Sequence, residues 1–197
     1  MPTVKVQGEA PPGRDVKVSS KSILTLNKTR GNFIMKKDNL TFTAQAAAIA
    51  AIYVVLTLIF APISYGPIQV RISEALTVLP FFTPAAVPGL FVGCLLANIF
   101  GGAILPDILF GSLATLIGAV GSYLLRKKKF LVPLPPVIAN AAVVPLVLKY
   151  AYGVTDVYLF LLLTITCGEL ISCYGGGLIL MAALNPHKNA IFRQGTH

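Results

Sequence analysis

Long stretches of the chain are apolar and almost free of charge, and this pattern restricts the possible folds more than any other feature. Two of them cover residues 44–63 and residues 154–184. A soluble domain of this size would lack the polar side chains needed to cover its surface. The composition agrees, because 55% of the residues are hydrophobic and only 12% are charged, against about 25% charged in soluble proteins. The sequence predicts an all-α membrane protein.

Six apolar segments follow the polar N-terminal region. The second one is shorter than the roughly 20 residues that a helix needs to cross a bilayer, and Pro80, Pro84 and Pro88 lie in or after it. The pattern therefore predicts a bundle of six transmembrane helices, two of them tilted or irregular. The predicted helices cover residues 43–61, 72–82, 85–100, 107–125, 135–152 and 158–184.

The basic residues predict the orientation. They collect in the N-terminal arm, at residues 126–129, and around Lys188 and Arg193. Positive residues beside membrane helices stay in the cytoplasm, so six helices with both termini cytoplasmic account for all three groups. The net charge of +9 therefore does not require a nucleic acid as partner. We expect a multi-pass protein of the cell membrane.

Three regions are expected. Residues 1–40 are basic, rich in turn-forming residues and broken by Pro11, Pro12 and Gly13, which predicts a disordered cytoplasmic arm. Met35 is a plausible second translation start. Residues 41–186 form the predicted transmembrane domain, which would bind a substrate, and residues 187–197 form a basic cytoplasmic tail.

The sequence shows none of the motifs by which metal sites and catalytic sites are usually recognised. The three cysteines lie in apolar segments and the two histidines in the C-terminal tail, without metal-ligand spacing. There is no phosphate-binding loop and no nucleophile with a nearby histidine. We expect no catalytic residue, no metal and no cofactor, and therefore a subunit that takes its energy from partner proteins.

Charged residues inside the apolar segments are the candidate binding residues, because they are costly to bury in a membrane. Glu169 needs a partner: a ligand with N–H donors, a structural hydrogen bond, or an ion pair with Arg71 or Lys149. Arg71 lies either at the rim of a cavity or at the membrane interface, whereas Glu74 would point into the bundle if helical. Asn98 and Asn140 fit either ligand contact or hydrogen bonding between helices.

Small residues form a strip on the first helix. The strip contains two overlapping pairs with Ala-x-x-x-Ala spacing, which allow close packing inside the bundle or against another protein. We refer to this set as the alanine strip: Ala46, Ala47, Ala50 and Ala51.

Several short motifs follow one another between residues 43 and 184. They are RISEALTVLP at 71–80, Ala97-Asn98 before Gly101-Gly102, DILFGSLAT at 107–115, PPVIAN at 135–140, and Gly168-Glu169. In this order the motifs resemble the QueT family, which implies uptake of a queuosine precursor. Members of this family are similar to the substrate-binding S components of energy-coupling factor (ECF) transporters. Such S components are six-helix proteins that join one transmembrane T component and two ATPases.

The resemblance implies roles for particular residues. The alanine strip would dock on the T component, through either Ala46/Ala50 or Ala47/Ala51. Uptake would then involve toppling of the loaded protein in the membrane, with ATP hydrolysis on the partners resetting it. A deazaguanine would be held at its N–H edge by a glutamate and by asparagines, and it would be covered by aromatic side chains. The substrate-binding residues implied in this way are Glu74, Glu169, Arg71, Asn98, Asn140, Tyr65 and Phe81 or Phe82. Two alternatives remain, an S component for another vitamin such as cobalamin, and a membrane scaffold or assembly subunit that binds no ligand.

Overall fold

The computed structural model describes residues 20–64, 70–155 and 157–192, with side chains from Asn39 onward except Asn189. The chain divides into two units, Met1–Asn39 and Leu40–His197. Within the described residues of both units, the regular structure is entirely helical. This agrees with the predicted fold class.

Eight α-helices are described, together with helices of other types. The α-helices are α1 (Ser20–Ile59), α2 (Ala61–Ser64), α3 (Ala86–Phe100), α4 (Leu105–Leu124), α5 (Leu134–Tyr150), α6 (Tyr158–Glu169), α7 (Gly177–Leu184) and α8 (Lys188–Ile191). A long 3₁₀ helix (Ile72–Phe81) precedes α3, and a π segment (Leu170–Gly176) joins α6 to α7. Two short 3₁₀ turns cover Lys129–Leu131 and Asn185–His187.

The first helix begins earlier than the sequence predicts. We expected it to start near residue 43, but α1 begins at Ser20, so the described part of the N-terminal unit is helical. Residues 1–19 of the predicted disordered arm lie outside the described residues. The cytoplasmic arm and tail therefore remain predictions.

Four of the described helical stretches are long and apolar enough to cross a membrane: Asn39–Ile59, Leu105–Leu124, Lys129–Tyr150 and Tyr158–His187. The other two apolar segments are helical but shorter, at Ile72–Phe81 and Ala86–Phe100. Ten residues of 3₁₀ helix rise about 20 Å and fifteen of α-helix about 22 Å, whereas the hydrocarbon core is about 30 Å thick. A six-helix crossing with both termini cytoplasmic stays a prediction.

Helices α1 and α3 pack in direct backbone contact, and this contact uses one register of the alanine strip. A Cβ atom added at Gly89 would lie 2.7 Å from the backbone oxygen of Ala46, and one at Gly93 would lie 3.1 Å from Cα of Ala50. Ala47 and Ala51 are exposed instead. Ala46 and Ala50 therefore serve packing within the chain, and the exposed register is Ala47/Ala51.

Helices α4 and α5 come equally close through two glycines facing two prolines. A Cβ atom added at Gly118 would lie 2.6 Å from Cα of Pro136, and one at Gly121 would lie 2.5 Å from Cβ of Pro135. Such distances essentially never occur between real side chains. Only glycine at positions 118 and 121 therefore allows α4 and α5 to pack at this short distance.

The backbone hydrogen bonding of the last apolar segment changes from the α to the π pattern where the segment meets the long 3₁₀ helix. The π segment runs from Leu170 to Gly176. A Cβ atom added at Gly177 would lie 2.6 Å from Cγ1 of Val78. Because π segments are frequent at functional sites, the residues at its start, Glu169 and Cys173, become the focus of the candidate site.

Candidate substrate site

Two buried glutamates from distant parts of the chain meet in the bundle. Glu74 lies on the long 3₁₀ helix and is 0% exposed, and Glu169 ends α6 and is 5% exposed. Each has an oxygen within 4.8 Å of the other and of Sγ of Cys173. The two carboxylates and the thiol thus face one small volume between the long 3₁₀ helix and the π segment.

The first helix supplies a partner for Glu74. The hydroxyl of Tyr53 on α1 donates to Oε1 of Glu74 across 2.5 Å, and Tyr53 is fully buried. The hydroxyls of Thr57 and Ser73, 2.7 Å apart, join the same two elements. The other oxygen of Glu74, Oε2, is buried and has no hydrogen-bond partner among the described residues. Glu74 therefore has one buried acceptor oxygen without a hydrogen bond among the described residues, and an unsatisfied buried acceptor lowers stability.

Asn140 and Cys173 complete the cluster. Asn140, on α5 and 3% exposed, interacts with the carboxylates of both Glu74 and Glu169. The thiol of Cys173 donates to Oε2 of Glu169 at 3.3 Å. The hydroxyl of Thr77 donates to the backbone oxygen of Glu74 at 2.6 Å. We call Tyr53, Glu74, Asn140, Glu169 and Cys173 the polar cluster.

A buried cation lies beside the polar cluster. Arg71 is 5% exposed, so it is not an interfacial side chain, and it attracts the carboxylates of Glu74, Glu169 and Asp107. Three carboxyl groups thus interact with one guanidinium. A further cation or a set of N–H donors would stabilise their ionised forms in a low-dielectric bundle.

Asn98 adjoins the polar cluster through α3 and α4. Its amide nitrogen donates to the backbone oxygen of Asp107 at 3.4 Å, and Sγ of Cys94 accepts from both Asn98 and Thr115. The amide oxygen of Asn98 is buried and has no partner among the described residues. Thr115 in turn interacts with Glu74. Asn98 therefore offers a second unused acceptor next to the glutamates.

Asp107 and Tyr152 close the end of the bundle near this site. The hydroxyl of Tyr152 donates to Oδ2 of Asp107 at 3.1 Å and accepts from the backbone N–H of Ile104 at 3.3 Å. Partial burial raises the pKa of the Tyr152 phenol, and the carboxylate of Asp107 raises this pKa further. Asp107 thus links the chain after α5 to the start of α4.

Comparison with known proteins identifies the family of a chain with this site. The family model described as "QueT transporter" matches residues 43–186. The chain belongs to the QueT transporter family. Family membership and the four long apolar helices make it a multi-pass membrane protein.

A curated relative supports the same assignment. The protein named "Queuosine precursor transporter QueT" from Lactococcus lactis subsp. cremoris (strain MG1363) is 38% identical over 85 residues. The match covers 42% of this chain and 50% of the relative, so the chain spans about half the length of that protein. No solved structure matches the chain.

Five of the seven substrate-binding residues predicted from the sequence of this QueT-family protein lie together. They are Glu74, Glu169, Arg71, Asn98 and Asn140. Their assembly from four helical elements is a property of the fold, because they are far apart in sequence. Their role in ligand binding remains a proposal.

The structure places the two aromatic candidates differently. Phe81 lies seven residues after Glu74 on the long 3₁₀ helix, about 14 Å along its axis, where it contacts Phe82 and lines a groove with Lys129 and Phe130. It is therefore at the other end of this helix from the polar cluster. Tyr65 lies outside the described residues.

Two members of the polar cluster were not among the predicted residues. Tyr53 lies within the apolar first helix, where a tyrosine is an ordinary packing residue, and Cys173 was assigned to the apolar interior. One signal was available for Cys173, because it follows Glu169 by four residues and positions i and i+4 share a helix face. For Tyr53 the sequence contains no comparable signal.

Proposed function

We propose that this chain is the substrate-capture S component of an ECF importer for a queuosine precursor, a 7-deazaguanine such as pre-queuosine. The observation that carries the proposal is the polar cluster, with two buried glutamates and an unused carboxylate oxygen. Support comes from the QueT family match and from the name of the curated relative. A chain without its own ATPase would take its energy from partner subunits.

The chemistry of a 7-deazaguanine suits these groups. Its amino and ring N–H groups are donors for the free oxygen of Glu74, and its ring can also donate to the amide oxygen of Asn98. An aminomethyl substituent is a cation. Because Glu74 already accepts from the phenol of Tyr53, whereas Glu169 accepts from the weaker thiol donor of Cys173, Glu169 is the carboxylate that would pair with this substituent.

Calorimetric titration of the purified chain tests the substrate. We expect 7-aminomethyl-7-deazaguanine to bind most tightly, 7-cyano-7-deazaguanine and queuine more weakly, and cobalamin not at all. The reason is that the cyano compound lacks a cation, and that queuine carries its amine on a bulky cyclopentenediol substituent. Tight binding of cobalamin alone, or of none of the four compounds, would contradict the proposal.

The exposed register of the alanine strip is the proposed contact with the T component. Ala47 and Ala51 present small side chains outward on α1, whereas Ala46 and Ala50 lie against α3. Small residues allow two helix backbones to approach closely in a membrane. The T component and its two ATPases would then couple ATP hydrolysis to movement of the loaded chain.

Substitution within the strip tests this contact. Ala51→Trp is expected to abolish copurification of the T component and ligand uptake by whole cells, while the ligand affinity of the purified chain stays unchanged, because the new side chain points away from the bundle. Ala50→Trp is the matched control, and it should reduce folded protein instead, since Ala50 is buried against Gly93. Normal complex formation by Ala51→Trp would exclude this register as the docking surface.

A further inference from the structure

We propose that Glu74, Glu169 and Cys173 form a binding site for one borderline-soft divalent metal ion of the Zn²⁺ class. The three side chains come from the long 3₁₀ helix, the end of α6 and the π segment, and all are buried. The cysteines and histidines have no metal-ligand spacing, so the sequence does not predict a metal. Glu74 and Glu169 are separated by about half of the chain and form no ligand motif.

The distances are close to those that a metal requires. The three ligand atoms lie within 4.8 Å of one another, and Sγ of Cys173 is 3.3 Å from Oε2 of Glu169. Around a tetrahedral Zn²⁺ with bond lengths of about 2.0–2.3 Å, neighbouring ligand atoms are about 3.3–3.8 Å apart. Binding would require the ligand atoms to move toward the ion by the remaining difference.

A second observation points independently to a bound cation. Oε2 of Glu74 is buried without a hydrogen-bond partner among the described residues, although Oε1 of the same group accepts from Tyr53. An unused carboxylate oxygen in a membrane interior is unfavourable unless a cation or donor binds to it. Metal coordination satisfies this oxygen, and the hydrogen bond from Tyr53 then orients the carboxylate as an outer partner of a metal ligand does.

A bound ion also reduces the negative charge of the cluster. Two carboxylates and a thiolate around a divalent ion give a net charge of −1, and the nearby guanidinium of Arg71, which also attracts Asp107, offsets part of it. The thiol proton of Cys173 leaves to solvent as the sulfur–metal bond forms. Carboxylates alone would suit Mg²⁺ or Ca²⁺, but the thiolate favours Zn²⁺ and the softer Cd²⁺. Asn140, which contacts both carboxylates, lies where it can hold them together.

The proposed metal site is argued from this geometry alone, whereas competition between the metal and the deazaguanine rests on the proposed function. If Glu74 and Glu169 hold the deazaguanine, then metal and ligand occupy the same groups and exclude each other. Free Zn²⁺ would then inhibit capture of the ligand. The two statements are tested separately, the first without any organic ligand.

Cd²⁺ is the probe, because the Cd–thiolate bond has an ultraviolet charge-transfer band. The exposed thiol is removed first, so all titrations use the Cys167→Ser background. We expect one Cd²⁺ per chain with this band, and loss of the band on addition of excess Zn²⁺. Cys173→Ser should abolish the band, and Cys94→Ser, which removes the other buried thiol, should leave it intact.

A second pair of variants keeps the test decisive if Cys173→Ser folds poorly. Glu74→Gln and Glu169→Gln should each weaken Cd²⁺ binding by at least about tenfold, since even loss of an outer partner of a metal ligand costs about 10–100-fold in affinity. Absence of the band, a band that survives Cys173→Ser, or one that depends on Cys94 overturns the metal site. Cd²⁺ binding without deazaguanine binding supports the metal site and contradicts the proposed function. Deazaguanine binding without Cd²⁺ binding supports the proposed function and overturns the metal site.

Discussion

Replacing Glu169 with glutamine is expected to weaken binding of 7-aminomethyl-7-deazaguanine by at least about 30-fold. Loss of one partner from a buried, hydrogen-bonded charge pair costs about 2–5 kcal/mol, and 2 kcal/mol corresponds to about 30-fold in affinity. Glutamine keeps the size of the side chain and removes only its charge. The effect therefore measures the ion pair with the aminomethyl group rather than a loss of packing.

A neutral ligand separates the roles of the two glutamates. If Glu169 pairs with the ammonium, then Glu169→Gln should bind the neutral 7-cyano compound about as well as the original chain does. Glu74→Gln should weaken both ligands, because its free oxygen would accept N–H donors that both ligands possess. Calorimetric titration of both variants with both ligands gives the four affinities needed.

Asp107→Asn is the matched control for these variants. It removes another buried carboxylate near Arg71, but Asp107 binds Tyr152 and is outside the polar cluster. We expect little change in either affinity. Full affinity of Glu169→Gln for the aminomethyl ligand, or an equal loss in Asp107→Asn, would show that the polar cluster does not hold the substrate.

The positions of the helices follow from the sequence, because lipid exposure requires long apolar segments with internally satisfied backbones. All six predicted segments are helical, with ends close to those expected except at the start of α1. That start could not be predicted, because apolar periodicity is weak between Ser20 and Asn39. The short second segment is a 3₁₀ helix, a difference that hydropathy does not detect.

The composition of the candidate site was only partly predictable. Burial cost identifies Glu74 and Glu169 as unusual, since ionised groups are rare inside membranes. It does not reveal that they are neighbours, because their proximity depends on how the end of the π segment, at Gly176, and the start of α7, at Gly177, pack against the long 3₁₀ helix. In the same way, both registers of the alanine strip fit the sequence equally well. The glycines of α3 decide between them.

Gly118→Val is expected to destabilise the chain strongly. The valine Cβ atom would lie 2.6 Å from the backbone of Pro136, and its methyl groups would extend further into α5. Backbone cannot move aside as a flexible side chain does, so α4 and α5 must separate. Overpacking a close contact costs about 1–3 kcal/mol and sometimes more. We expect about 3 kcal/mol here, a decrease of roughly 6–12 °C in melting temperature at about 2–4 °C per kcal/mol.

Gly175→Val is the matched control for this substitution, because a Cβ atom added at Gly175 meets nothing within 4 Å. Both glycines lie within helical segments, so the change in backbone freedom is similar and only the packing differs. Thermal unfolding of the purified chain in detergent should leave the melting temperature of Gly175→Val near that of the original. Equal melting temperatures for the two variants would mean that α4 and α5 do not make this contact. The polar cluster depends on it, because α5 carries Asn140 to the glutamates and α4 carries Thr115.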